Sequence, residues 1–267
     1  LRNTLYKTTA LVSLVLLLST GVSFAGINSN VPAADTAAGA QPNNSKLSFN
    51  FGADLVSRYV WRGVEFGTAW DNSSTPHFQP NAALGYDLGT GGALTLGFWG
   101  SYGFSGNYSE NDIFLTYAIN TKAGGFGITF TDYYYPYLDI PFSDFKKDGK
   151  GAHTFDAEFT YTLPEAFPLS LMVSNNIYND APGQKSLYIE ANYPFTIQNV
   201  QMGLFVGAAK GPSVWHSIST DHFEFCNVGF KASKSVKITQ DFSLPLGVYW
   251  IYNAHLKDTH LIFKVSF

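Results

Sequence analysis

Arg58 and Arg62 stand four residues apart in Ser57-Arg58-Tyr59-Val60-Trp61-Arg62-Gly63, and they are two of only three arginines in the chain. They close an alternating run that begins near Lys46. Its odd positions (Leu47, Phe49, Phe51, Ala53, Leu55, Tyr59, Trp61) are mostly apolar, and its even positions carry Asp54, Arg58 and Arg62. Side chains alternate across a strand with period two, so one face is greasy and the other charged. The same alternation assigns Asp87, Asp112, Asp156, Glu158, Glu190, Glu224, Lys237, Asp241 and Lys264 to the polar faces of later runs. If the runs close into a barrel, the first strand faces the sixth to eighth, and Arg58 and Arg62 look across at Asp156, Glu158 and Glu190. Opposed basic and acidic walls make either a transverse field that orients polar solutes in a constriction, or a salt-bridged plug.

Other chemistry has weaker support. A lipid hydrolase would need a serine–histidine pair oriented by an acid or amide; His216-Ser217 with Asp221 or His222 is the nearest candidate, and adjacent residues on an extended chain point apart. The pairs His216/His222 and His255/His260 are the only approaches to metal-ligand spacing, and no metal or other cofactor is expected. Tyr133 to Tyr137 is a conceivable ligand platform. Together with Tyr59, Trp61, Tyr102, Phe104, Trp250 and Tyr252, these aromatics are otherwise expected in girdles at two membrane interfaces.

The elements that position these residues follow from composition and pattern. Residues 1–25 read as an export signal: Arg2 and Lys7 are basic, Ala10 to Leu18 is a short apolar core, and Ser23-Phe24-Ala25 suits cleavage. Residues 26–46 lack periodicity and read as a flexible periplasmic lead-in. Removing Arg2 and Lys7 from 16 basic residues leaves 14 against 20 acids, a balance that argues against a nucleic-acid partner. The single cysteine, Cys226, excludes a disulfide-stapled scaffold. The chain is 13 % charged and 16 % aromatic, against about 25 % charged in an average protein. That fits a transmembrane barrel.

From residue 47 to 267 twelve alternating runs are legible, the last being Thr259, Leu261, Phe263, Val265 and Phe267. The tenth slips phase near Cys226 and Asn227, as at a bulge. Links after even-numbered runs are short and those after odd-numbered runs longer, the layout of a barrel with both termini periplasmic. Pro80 and Pro245 fall inside runs, so ten and fourteen strands are the alternatives to twelve. Gly52, Gly85, Gly97, Gly103, Gly127, Gly203 and Gly207 fall on inward faces, where strands coil.

Both ends of the barrel segment carry a resemblance. Leu261-Ile262-Phe263-Lys264-Val265-Ser266-Phe267 resembles the closing strand of bacterial outer-membrane proteins. That likeness implies that Phe263, Val265 and Phe267 form a signal for the barrel-assembly machinery. Ser57-Arg58-Tyr59-Val60-Trp61-Arg62-Gly63 resembles the first strand of an uncharacterised family of outer-membrane barrels, which implies a fold and no activity. The expected protein is an all-β, transmembrane antiparallel barrel in the outer membrane, in contact with its lipids. Its lumen, lined by Asp54, Arg58, Arg62, Asp112, Asp156, Glu158, Glu190, Asp241 and Lys264, is expected to pass small polar solutes. A non-conducting structural or surface-binding barrel is the alternative, and a lipid hydrolase the third reading.

Overall fold

The computed structural model describes residues 46–68, 71–184 and 186–267. The expected signal (1–25) and, Lys46 apart, the lead-in (26–46) lie outside the described residues. The alternating runs become β1 (Leu47–Val56), β2 (Tyr59–Trp61), β3 (Val64–Phe66), β4 (His77–Asp87), β5 (Ala93–Gly103), β6 (Ser109–Thr121) and β7 (Gly124–Tyr134). They continue as β8 (His153–Thr162), β9 (Ser170–Tyr178), β10 (Leu187–Ile197), β11 (Val200–Lys210), β12 (Phe223–Lys237), β13 (Ser243–Asn253) and β14 (Asp258–Ser266). Strand β1 and strands β4 to β14 make a closed antiparallel barrel of twelve. An even count brings both ends of the barrel segment to one rim, where the links are short. The longer links crowd the other rim.

Closure gives every wall strand a hydrogen-bonded neighbour on both sides, which a sheet surrounded by hydrocarbon requires. The outward positions are apolar around the whole circumference: Phe51, Leu96, Leu115, Phe130, Phe159, Leu171, Leu204, Leu246 and Phe263 are all exposed. A continuous belt of this size far exceeds the apolar patches that water-soluble proteins display, and it is the surface of a barrel that spans a bilayer. The closing seam is short, with Asp54, Leu55 and Val56 opposite Ser266, Val265 and Lys264. Two backbone bonds between Ala53 and Phe267, at 3.3 and 2.9 Å, extend it to the C-terminal residue.

The prolines and the phase slip find local explanations. The β4–β5 ladder passes from Phe78 to Asn81, so Pro80 sits where the pairing is interrupted. Pro245 pairs with Ser235 of β12, while the ladder from β13 to β14 starts only at Leu246. In β12 the register jumps from Asn227 opposite Gly207 to Phe225 opposite Ala208, leaving Cys226 as the bulged residue. The expected bulge is there.

The main departure from expectation is at the first run, which does not stay in the wall. β1 ends at Val56, and Tyr59–Trp61 pairs with Val64–Phe66 as a small hairpin of its own. Its two-residue turn, Arg62-Gly63, has positive φ at both positions (49° and 83°), the condition for a tight hairpin turn matching strand twist. The hairpin is folded into the lumen. Tyr59 and Trp61 are 1 % and 6 % exposed and pack with Trp99, Tyr108 and Tyr133, while Val60 packs on the other side against Phe205, Tyr249 and Ile262. Tyr59, Trp61, Tyr133 and Tyr135 therefore belong to the interior and not to a membrane girdle. Phe104 and Trp250 do face outward. Strand periodicity could not separate these cases, because a hairpin continues the alternation of the strand before it.

The turn is seated against the bulge of β12. A Cβ on Gly63 would lie 1.7 Å from the carbonyl oxygen of Cys226. Gly63→Ala is accordingly expected to unseat the hairpin without unfolding the barrel. Limited trypsin digestion in detergent should then cut after Arg58 or Arg62 in the variant and spare the wild type; equal protection of both would show that the tip is not tightly seated.

Candidate functional site

The hairpin tip and the wall facing it form the most elaborate constellation in the lumen. Inward positions of three consecutive strands supply the wall: Asp156 and Glu158 on β8, Ser174 on β9 and Tyr188 on β10. Their order follows from period two, since residues two apart on β8 project on the same face. Tyr188 lies over Gly207 of β11, where a Cβ would come within 2.1 Å of its hydroxyl, so the glycine makes room for the ring.

Arg62 reaches this wall from the tip. Its Nη2 donates to Ser174 Oγ at 2.7 Å, and Ser174 Oγ in turn donates to Asp156 Oδ2 at 2.5 Å. The guanidinium lies 4.0 Å from both the Asp156 and Glu158 carboxylates. Its carbon is 4.3 Å from the centroid of Trp61 and 4.6 Å from that of Tyr188, in cation–π range of two faces. Arg62 is 7 % exposed and Asp156 1 %. The lumen is filled at this level.

Arg58 stays at the base of the hairpin, 3.4 Å from Glu65, which also lies 3.3 Å from His260. Glu190 accepts from the Tyr188 hydroxyl at 2.6 Å and from Asn227 at 2.9 Å. Asp54 accepts from Lys264 at 3.0 Å and from Ser266 at 2.6 Å, tying the closing seam from the inside. Asp112 is buried beside Glu110, two residues away on the same face of β6, and Glu110 accepts from Tyr108 at 2.7 Å. Asp241 is different. It sits exposed in the short turn between β12 and β13, so it does not line the lumen; the eleventh run starts two residues after it. Lys237, at the end of β12, is likewise exposed.

The sequence reading missed several partners. Ser174 and Tyr188 were inward positions of their runs, but neither residue type marks a site without its neighbours. Glu110 was overlooked beside Asp112. Tyr-Val-Trp-Arg-Gly-Val-Glu-Phe carried the one available signal for the hairpin, an X-Gly dipeptide between alternating hydrophobics.

His216, considered above as part of a hydrolase, is in the β11–β12 loop. Its Nδ1 shares a hydrogen bond with Ser213 Oγ at 2.9 Å, and its ring stacks on Trp61 and Tyr188 at 5.3 and 5.5 Å. Ser213 Oγ continues to Ser186 Oγ at 2.8 Å, which donates to Asp180 at 2.9 Å. Asp221 and His222 lie out in solvent. Loop 211–222 thus caps the aromatic pair that flanks Arg62.

No family model matches the chain, and no curated protein matches it. Solved structures to which the barrel is similar include the following three. One, from work on the in-meso crystallization of membrane proteins, has a TM-score of 0.49 and 8 % identity, covering 82 % of this chain and 83 % of the other. An outer membrane channel from Pseudomonas putida F1 has a TM-score of 0.40 and 11 % identity, over 85 % and 95 %. The Salmonella typhi OmpF complex with daunomycin has a TM-score of 0.40 and 7 % identity, over 84 % and 98 %.

Two outcomes follow from the geometry. Arg62→Gly keeps the left-handed turn and removes the guanidinium from two buried carboxylates, a loss worth about 3 kcal/mol at the low end for a broken buried pair. Urea unfolding of the refolded barrel should show it, and Asp156→Asn should cost much less in the Arg62→Gly background than alone; additive losses would mean the two side chains are not coupled. The second concerns pH. Burial first, and then the Arg62 charge, hold the His216 imidazole well below its ordinary 6.5. Unfolded chain takes up a proton that the folded loop refuses, so this contribution is full above 6.5 and is lost as pH falls below it. The melting midpoint is expected to drop on acidification, and to drop less in His216→Asn.

Proposed function

We propose that the protein is an outer-membrane barrel providing a narrow passage for small polar solutes, closed in this conformation by the β2–β3 hairpin. The observation that carries this reading is that Arg62, Asp156 and Glu158 come together, buried, on the inner side of the barrel wall. Ionised groups are expensive inside a barrel, and a purely structural filling is better made from apolar side chains, so buried charge points to a solute path. Both termini lie on the periplasmic side in this reading, and Phe263, Val265 and Phe267 of the closing strand, with outward side chains, serve recognition by the assembly machinery. No catalytic step is involved.

A second reading, a non-conducting barrel acting through its outer loops, is favoured by the near-complete burial of Arg62 and Asp156. Planar-bilayer recording separates the two. A barrel in which Tyr59–Phe66 is replaced by a short Gly-Ser linker should show discrete steps, larger or more frequent than those of the wild type. Silence from a correctly folded, hairpin-less barrel would overturn the passage and leave the second reading.

A further inference from the structure

The seat of Arg62 has the composition of a ligand site. A hydroxyl, two carboxylates and an aromatic face (Ser174, Asp156, Glu158, Tyr188) come from the rigid wall of β8, β9 and β10, and only Trp61 comes with the hairpin. Carboxylate and aromatic face together are how proteins hold a planar guanidinium.

The occupant fits the site incompletely. Arg62 makes its one close hydrogen bond to Ser174, while both carboxylates remain 4.0 Å away, beyond the 2.7–2.9 Å of a charge-assisted bond. Its Nη1 is buried without a hydrogen-bond partner. The backbone adds to this. Arg62 holds a φ of +49°, a region that glycine or asparagine occupies more readily, so the position carries arginine for its side chain. A short tether from a turn seated against Cys226 limits how far that side chain can advance. A free guanidinium has no such tether and can move onto the carboxylates.

We propose that the wall formed by Asp156, Glu158, Ser174 and Tyr188 is a binding site for a guanidinium-bearing cationic solute, and that Arg62 is its tethered, displaceable stand-in. This rests on the passage reading for its biological sense, though not for its chemistry. Lifting the hairpin takes the guanidinium away from Asp156 and Glu158, and an incoming cation supplies that positive charge again where an anion or neutral solute cannot. The lumen then selects by the same interaction that keeps it closed.

Methylguanidinium, the end of an arginine side chain, is the probe. Titration calorimetry on the detergent-solubilised, folded barrel, at constant ionic strength against sodium chloride, should show saturable binding to Arg62→Gly and none to the wild type in the same range. Adding Asp156→Asn to Arg62→Gly should weaken that binding about tenfold or more, the usual worth of a hydrogen bond to a charged group. Arg62→Asn, which also tolerates the left-handed turn, provides a second vacated site should Arg62→Gly fold poorly. Absence of saturable binding in both vacated barrels overturns the site. Equal binding by the wild type, or binding indifferent to Asp156→Asn, places the ligand elsewhere and also overturns it. No flux is needed for this measurement. A barrel that binds methylguanidinium yet never conducts retires the passage and keeps the site; one that conducts without binding does the reverse.

Discussion

The contact of the Arg62 guanidinium with Ser174, Asp156 and Glu158 is the constraint on which the interior depends. A closed barrel of this size has an inside that must be filled by side chains or by water. The hairpin fills the half nearer the long links, and its tip brings one positive charge to a wall rich in carboxylates. That charge stands 4.0 Å from both Asp156 and Glu158. With it, Trp61, Tyr188 and His216 gain a cation to pack around, and the β11–β12 loop has something to cap.

The outside obeys a different constraint. Lipid offers no hydrogen bonds, so the ladder must close on itself, and outward side chains must be apolar. The seam between β1 and β14 is the weakest part of that closure by length, and it is reinforced on its inner face by Asp54, Lys264 and Ser266. The bulge at Cys226 bends β12 where the hairpin turn approaches, and the absence of a side chain on Gly63 lets the two backbones meet. Bulge and turn are therefore one packing solution, built from residues far apart in the chain.

The proposed passage draws on a conflict between the two environments. Charges that hydrocarbon would expel are collected in the lumen, and the densest collection is the one the hairpin covers. On the proposed reading, closure and selectivity are properties of a single contact, because whatever replaces Arg62 must satisfy the same carboxylates.

Alternation of period two by itself determined most of the strands, their inward and outward faces and the bulge near Cys226, because each wall strand separates lipid from lumen along its whole length. It favoured twelve strands over ten or fourteen, and the closed barrel fixed the number. It also brought Arg62 into the company of Asp156 and Glu158, through the opposition of charges that must avoid lipid. Only the tertiary structure decided that Arg62 arrives there on an inserted hairpin. The run from Leu47 to Trp61 alternates without a break, and a strand and a hairpin leaving it share the same period. Likewise Tyr59 and Trp61 read as girdle aromatics, since a buried ring and a lipid-facing ring are the same residue until the chain's path is known. Asp241 reads as inward only if the eleventh strand begins near Val236; the strand begins at Ser243, and Asp241 lies in the turn before it, exposed to water.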